Sequence, residues 1–401
     1  MAVRLIYLFA IPLCAEDAYI TFHAWWDPTW RHATTSPAWM VATMGQPDLA
    51  RALNLVGDLG AVLSASRVLT SPGMWAFVGF WCLPFFSGSS VSGLESHLAA
   101  CALIVSVAHP RFLALAAGLR PDTAVMALIA SGSRWRWAVG GLVVGVAGLL
   151  WCGSQTMGAK LSAYGVHPFA GWYWWRPEAF GWLALPLVGL ALWKRDKATT
   201  GALAILAVLW ALGVPEFWWY AVPPFAVLGF MACKRITGWW LLPLGLSLVA
   251  VSWQHQHERL AERVRQEARV WDYATDLRQH RLEGVALLEP AGIIPWLNPH
   301  LSVVDEIGLV SGGKRSGPGW YADLIRTHRP RLIVLRTKQY VELNYGFDAQ
   351  PFTGEHAPFR SRAEAVELLS GYRPLFRPPV TRTEKTVAYP ASSSSLVFLV
   401  K

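Results

Sequence analysis

Glu16-Asp17-Ala18-Tyr19 sets two adjacent carboxylates directly behind a short apolar run, Leu5–Leu13. Ionisable groups at the mouth of a membrane segment are costly to keep and are functional candidates by default. A carboxylate there can take the proton of an attacking hydroxyl or hold a divalent cation against a phosphate. The plainer alternative is an Asp cap on a helix over Ala18–Trp26. Glu95 follows Ser92-Gly93-Leu94 and opens an apolar segment, where a helix macrodipole favours an acid. Arg120-Pro121-Asp122 interrupts a third apolar stretch. An arginine at membrane depth needs an anion: a lipid phosphate bound through paired N–H donors, or an internal pair with Asp122 or Glu95. The loop Arg31–Pro37 offers His32, Thr35 and Ser36 as contacts for an acceptor or donor, and otherwise reads as a turn before a helix. Asp58 lies inside an apolar segment, either in the same cavity or paired structurally. His255 and His257 have no carboxylate at metal-ligand spacing. Neither Gly-x-Ser-x-Gly nor His-Glu-x-x-His occurs, which removes the common hydrolase chemistries.

The elements that must position these groups are apolar. Of 401 residues, 54% are hydrophobic and only 15% charged, with 23 Trp. Such a composition points away from an ordinary soluble protein and, at this length, away from one compact domain. Membrane helices need about 20 apolar residues, and the candidates fall at 3–15, 51–70, 73–87, 91–108, 135–152, 179–193, 200–213, 216–232 and 237–253. Region 111–132 differs. Two half-length pieces, Phe112–Leu119 and Ala124–Ala130, flank the charged break, and a re-entrant pair is the simplest expectation because such a break is tolerated only against protein or a wet cavity. Arg4 and Leu5–Leu13 have the look of a signal peptide, but a small-residue cleavage site is weak and more apolar segments follow, so a retained first helix is expected.

Basic residues set the orientation. With the N-terminus cytoplasmic, inner loops carry Arg67, Arg111, Arg134, Arg136, Lys194, Arg195, Lys197, Lys234 and Arg235, and outer loops Arg31, Arg51, Lys160 and Arg176. Glu16-Asp17, Glu95 and the C-terminal tail then face outward. Trp172–Trp175 and Trp218–Tyr220 fall at outer boundaries, as interfacial anchors or sugar-stacking surfaces. Residues 1–253 hold 15 basic and 10 acidic side chains, residues 254–401 hold 20 and 16. The tail therefore reads as a water-soluble domain. After a charged helical stretch, His255–Arg281, it carries short β-type runs at Val285–Leu288, Leu301–Val304 and Leu332–Leu335, a helix at Tyr321–Thr327 and a closing strand at Leu396–Val400, the pattern of a small α/β layer. Gly312-Gly313-Lys314 lacks the spacing of a phosphate loop. The net charge of +9 is spread along the chain without a basic block, which argues against nucleic acid. All five cysteines lie in or beside apolar segments, so no disulfide framework or thiolate zinc site is expected.

The order of these motifs resembles that of the GT-C type integral-membrane glycosyltransferases that use polyprenyl-phosphate sugars, among them protein O-mannosyltransferases, aminoarabinose transferases and arabinofuranosyltransferases of bacteria. The resemblance rests on Glu16-Asp17-Ala18-Tyr19-Ile20, Thr35-Ser36-Pro37, Pro47-Asp48-Leu49, Ser92-Gly93-Leu94-Glu95, Leu119-Arg120-Pro121-Asp122 and Tyr220-Ala221-Val222-Pro223, with Glu289-Pro290 and Val304-Asp305-Glu306 in the tail. Glu16 stands where the family has a first Asp, and Trp219 where it often has a base. The resemblance implies a polytopic α-helical membrane protein, a GT-C type bundle over residues 1–253, with a small soluble α/β domain over 254–401. It implies Asp17, with Glu16, as catalytic acid or base, Arg120 as the donor-phosphate contact, and Glu95 and Asp122 in support or as ligands of a divalent cation such as Mg, Mn or Ca. The expected partners are a polyprenyl-phosphate sugar, membrane lipid and a cell-envelope glycan, glycolipid or protein acceptor, at the outer face of a bacterial plasma membrane. Two other classes stay open: a transporter or lipid flippase, which would call for polar groups through both leaflets and internal repeats, and a non-catalytic membrane protein with an exterior binding domain.

Overall fold

A computed structural model describes residues 2–11, 13–156, 196–213, 218–288, 291–306, 308–310, 317–336, 357–375, 381–382, 387–388 and 396–401, with single positions at 158, 169 and 189. It is mostly helical, with a small sheet, and divides into two units: Met1–Ser154 with Val166–Val264, and Gln155–Gly165 with Arg265–Lys401. The division at 264/265 and the expected boundary at 253/254 both fall within one continuous helix, Leu242–Gln279.

The first unit is built from α1 (Ala2–Ala10), α2 (Glu16–Trp26), α3 (Pro37–Thr43), α4 (Pro47–Val68), α5 (Ser71–Trp81), α6 (Pro84–Val91), α7 (Glu95–Ser106), α8 (Phe112–Leu119), α9 (Ala124–Ser131), α10 (Trp135–Cys152), α11 (Lys197–Ala211), α12 (Val222–Arg235) and the first part of α13 (Leu242–Gln279). Proline opens several of them, at 37, 47 and 84 and in the first turn at 72 and 223. There its fixed φ suits the helix and its missing N–H costs nothing. Thr70 and Asp196 cap α5 and α11 through the N–H groups of Gly73 and Thr199, and Arg51 donates to the carbonyls of Leu8 and Ile11 at the end of α1. The core centres on α7 and α12, buried along most of their lengths. Small residues on α7, Ala99, Ala100 and Ala102, let α4, α8 and α12 come close.

The expected spans find helices at nearly every described position, some shorter than expected and some as long or longer. Among the described residues one run, Pro121–Cys152 taken through its breaks, is long and apolar enough to cross a membrane. The pair α5–α6, bent by 64° at Cys82-Leu83 ahead of Pro84, would make a second. The 3–15 window gives a helix of 9 residues and 91–108 one of 12, whereas 51–70 gives one of 22 and 200–213 one of 15. Prolines, and polar residues such as Asn54 and Asp58 in α4, are what shorten or disqualify the rest. The half-helix pair at 111–132 is found as expected: α8, a 3-10 turn at Pro121–Thr123, and α9. The segment 179–193, Trp172–Trp175 and Gly312–Lys314 lie outside the described residues.

The second unit carries the α/β layer. Strands β1 (Gly284–Leu288), β2 (Leu301–Asp305), β3 (Leu332–Arg336), β4 (Arg373–Pro374) and β7 (Leu396–Val400) form one sheet in the order β2-β1-β3-β7-β4, while β5 (Thr381–Arg382) pairs with β6 (Val387–Ala388). The pairs β1–β2 and β1–β3 are parallel and β3–β7 antiparallel, with Ile333 opposite Leu399. Helices α14 (Ile293–Leu297) and α15 (Trp320–His328) fall between the parallel strands in sequence, and α16 (Arg362–Leu369) packs on α15. Leu287, Ile333 and Leu399 are fully or nearly buried among Trp320, Tyr321 and Phe359, as unbroken apolar strands of a covered sheet must be. Truncation after Ser395 removes the strand that pairs β3 along its length. Limited proteolysis is then expected to degrade the C-terminal unit while leaving fragments of the helical unit intact.

Candidate functional site

The acid pair begins α2. Ala15 stands at the cap position with no side-chain cap, so Glu16 and Asp17 occupy the first turn and the Asp-cap alternative fails. Asp17 is half-buried; the side chain of Glu16 lies outside the described residues. The entry to α2 is strapped to the entry of α7: the N–H of Ala15 donates to the carbonyl of Ser92 at 2.8 Å. Gly93, at φ +74°, lies so close to Cys14 that a Cβ would come within 2.7 Å of its Sγ. Only glycine tolerates both the positive φ and that approach. Trp39 Nε1 donates to the Gly93 carbonyl at 2.9 Å and Asn54 Nδ2 to that of Leu94 at 3.1 Å. Segment 92–94 is thereby held by α2, α3 and α4, and it delivers Glu95, buried, as the first residue of α7.

Arg120 ends α8. It is buried and faces three groups from different parts of the chain. Its Nε and Nη2 donate to the two oxygens of Asp122 at 2.8 and 2.5 Å, its Nη1 donates to Glu95 at 3.4 Å, and its guanidinium lies 4.8 Å from the ring centre of Tyr220. Both internal pairs anticipated from sequence are therefore made. Asp122 is the open side of the cluster, with a quarter of its side chain exposed against 6% for Arg120. Thr123 closes the turn by donating to the Arg120 carbonyl at 2.7 Å.

Other expected contacts take different roles. Ser36 is fully buried and its hydroxyl donates to the carbonyl of Leu119 at 2.6 Å, which makes it a clamp on the residue before Arg120. Its backbone N–H bonds to Thr34 Oγ1. Thr35 and His32 are half-buried, His32 in a 3-10 turn over Pro28–Ala33. The structure thus brings together Glu95, Arg120 and Asp122, ties the first turn of Asp17 to them through Ala15–Ser92, and sets Ser36 behind them.

Glycines on α10 seat this arrangement. A Cβ at Gly141 would fall 2.1 Å from the Ala114 carbonyl oxygen of α8, one at Gly145 2.9 Å from Pro121 Cγ, and one at Gly148 3.1 Å from Pro37 Cβ. Gly141-x-x-x-Gly145 is the small-residue spacing that lets helix backbones touch. Here it fixes α8 and the Pro121 turn together.

Asp58 is the second polar centre. Its carboxylate, buried on α4, accepts from Trp81 Nε1 at 2.7 Å and Ser90 Oγ at 2.6 Å, meets His97 Nε2 at 2.9 Å, and pairs with Arg4 Nε at 3.1 Å. Arg4 also donates to the Trp81 carbonyl at 2.7 Å. The structural alternative for Asp58 is thus the one realised.

The family resemblance implies a divalent cation beside Glu95. Glu95 and Asp122 both face Arg120, so a dication between them would abut a guanidinium, and this donor set does not fit one. Ligand atoms of Asp58, His97 and Cys101 lie within 4.8 Å of one another, but the carboxylate there already bears Arg4 and the same objection holds.

Sequence reasoning missed the glycine face of α10, the four partners of Asp58 and the position of Tyr220 over Arg120. The first was visible as an i, i+4 glycine repeat. The others join residues too far apart in sequence to be paired by spacing. Comparison with family models, curated proteins and solved structures finds no match, so the residues themselves carry the functional reading.

Gly141→Leu or Gly145→Leu must push backbones apart and is expected to cost about 1–3 kcal/mol, read as a lower melting temperature of the purified chain. Gly140→Leu, with nothing within 4 Å of its Cβ, should melt as the parent does. Asp58→Ala strands the Arg4 charge and is expected to cost about 3–5 kcal/mol in the same measurement.

Proposed function

We propose that the chain is an integral-membrane glycosyltransferase of GT-C type that moves a sugar from a polyprenyl-phosphate donor to an acceptor hydroxyl at the outer face of a bacterial plasma membrane, with the C-terminal unit outside. The observation that carries this is the Arg120 cluster: a buried guanidinium at the break between two half-helices, held by acids from separate segments and open on the side of Asp122. Membrane placement is supported by apolar side chains turned outward. Ile6, Phe9, Val56, Val143, Val144, Leu150 and Trp151 are exposed, and only 22% of the apolar window in Pro121–Cys152 is buried. Apolar surface of this extent needs lipid or protein to cover it.

In this mechanism the donor's lipid stays in the bilayer and its sugar carbon meets the acceptor at the interface. Asp17 takes or orients the proton of the acceptor hydroxyl as that oxygen bonds to the sugar carbon. The carbon–oxygen bond to phosphate breaks, and Arg120 stabilises the charge left on the departing phosphate, commonly the largest single contribution in such a site. Attack opposite the leaving group inverts the sugar carbon. Two carboxylates, Glu95 and Asp122, face the one guanidinium of Arg120, so a phosphate must displace one acid. Asp122 is the exposed and movable one; Glu95, fixed at the head of α7, keeps Arg120 aimed.

Transfer from radiolabelled polyprenyl-phosphate sugars by the purified chain tests this. Asp17→Asn is expected to lower kcat by about a hundredfold or more with normal expression; retained activity removes Asp17 from the mechanism. Asp122→Asn, which weakens the competitor for Arg120, is expected to lower KM for the donor, and a rise in KM would make Asp122 a donor ligand. Movement of the lipid-linked sugar across vesicles without bond cleavage would favour the transporter class.

A further inference from the structure

The helices that meet at Arg120 have another end, and that end is basic. Starting at Glu95, α7 runs to Ser106; α8 reaches Arg120 from Phe112; α9 leaves the Pro121 turn and stops at Ser131; α12 runs from beside Tyr220 to Lys234 and Arg235. At 12 residues, α7 separates the two ends by roughly 18 Å. Between these far ends lies a cavity of about 420 Å³ lined by Arg134, Lys197, Lys234 and Asp196. Its other walls include Leu103, Met126 and Phe230. These three are buried, whereas Arg134 and Lys197 are exposed and Lys234 is half-buried, so the charges form the mouth and the apolar residues the interior.

The charges do not balance. Asp196 accepts from Thr199 N–H with one oxygen and pairs with Arg235 Nη2 at 2.7 Å with the other. Arg134, Lys197 and Lys234 have no carboxylate partner among the described residues. The Lys197 ammonium lies where a side chain at Gly132 would stand, 2.9 Å from that Cβ position, so the turn after α9 makes room for it. The positive surface continues into a recess of about 410 Å³ that shares Pro110 and Arg134 with the first and adds Arg111 and Arg136.

We infer that this is a binding site for an anionic phospholipid, with the headgroup phosphate held by Arg134, Lys197 and Lys234 and one hydrocarbon chain entering between α7, α9 and α12. Three unmatched cations ask for phosphate-type charge. A free phosphate would leave the apolar interior unfilled, and a zwitterionic lipid would bring a further ammonium beside the three cations. Basic pockets between helices on the cytoplasmic side suit such headgroups, and the inner placement follows from the same excess of Lys and Arg that orients the chain. The inference rests on the membrane placement proposed above and is independent of sugar transfer.

Native mass spectrometry of the full chain in neutral detergent, with phosphatidylglycerol, phosphatidylcholine or inorganic phosphate added, tests it. Phosphatidylglycerol should stay bound and the other two should not. The triple variant R134Q/K197Q/K234Q should bind phosphatidylglycerol more weakly, on the order of a hundredfold at about a factor of five per cation. K197R/K234R should retain it, and so should Arg120→Gln. Undiminished binding by the triple variant, or equal binding of phosphatidylcholine, overturns the site. Retention of phosphate alone with equal strength overturns the lipid. A chain recovered in the soluble fraction without detergent fails the membrane reading, whereas a membrane-bound chain indifferent to phosphatidylglycerol fails this inference alone.

Discussion

The helical unit is organised around one desolvated charge. Asp58 sits on α4 and takes donors from α1, α5, α6 and α7: Arg4, Trp81, Ser90 and His97. A buried carboxylate is tolerated only when its lone pairs are satisfied and its charge is countered. That requirement fixes the mutual position of five helices more sharply than apolar packing, which is non-directional. Ser90 and His97 lie on either side of the 92–94 segment. Pinning both to one carboxylate fixes where α6 ends and α7 begins, and hence where Glu95 stands.

Arg120 makes a contrasting use of charge. Asp58 is enclosed by partners that have nowhere to go. Arg120 has one enclosed partner, Glu95, and one partly in solvent, Asp122. A guanidinium offers five N–H donors in a planar fork, so it can exchange one bidentate anion for another while a second holds it in place. The same four helices carry this cluster at one end and a surplus of cations at the other. Their lengths therefore separate a guanidinium held by two carboxylates from three cations that have no carboxylate partner among the described residues.

What the amino-acid order revealed depended on range. The break between α8 and α9 was legible because Arg120-Pro121-Asp122 contradicts its surroundings within three residues. The strands at Val285–Leu288, Leu301–Val304 and Leu396–Val400 were legible because β-branched and apolar runs between polar ones are local signals. The clamp made by Ser36 was not legible, because a hydroxyl reads as available until its acceptor is known, and its acceptor, Leu119, is 83 residues away. Some spans, 3–15 and 73–87 among them, were drawn too long because hydropathy does not register helix ends or the bend at Cys82-Leu83. Asp58 was visible as an oddity, but its donors at positions 4, 81, 90 and 97 share no periodicity.

The two sides of α10 face different kinds of neighbour. Gly141, Gly145 and Gly148 lie against the Ala114 backbone and the rings of Pro121 and Pro37, whereas Val143, Val144, Leu150 and Trp151 look outward. The outward side meets no packed neighbour, so a side chain there can change shape without moving a backbone. The inward side cannot accept even a methyl group at position 141 without moving peptide atoms. One helix therefore admits bulk on one face and refuses it on the other.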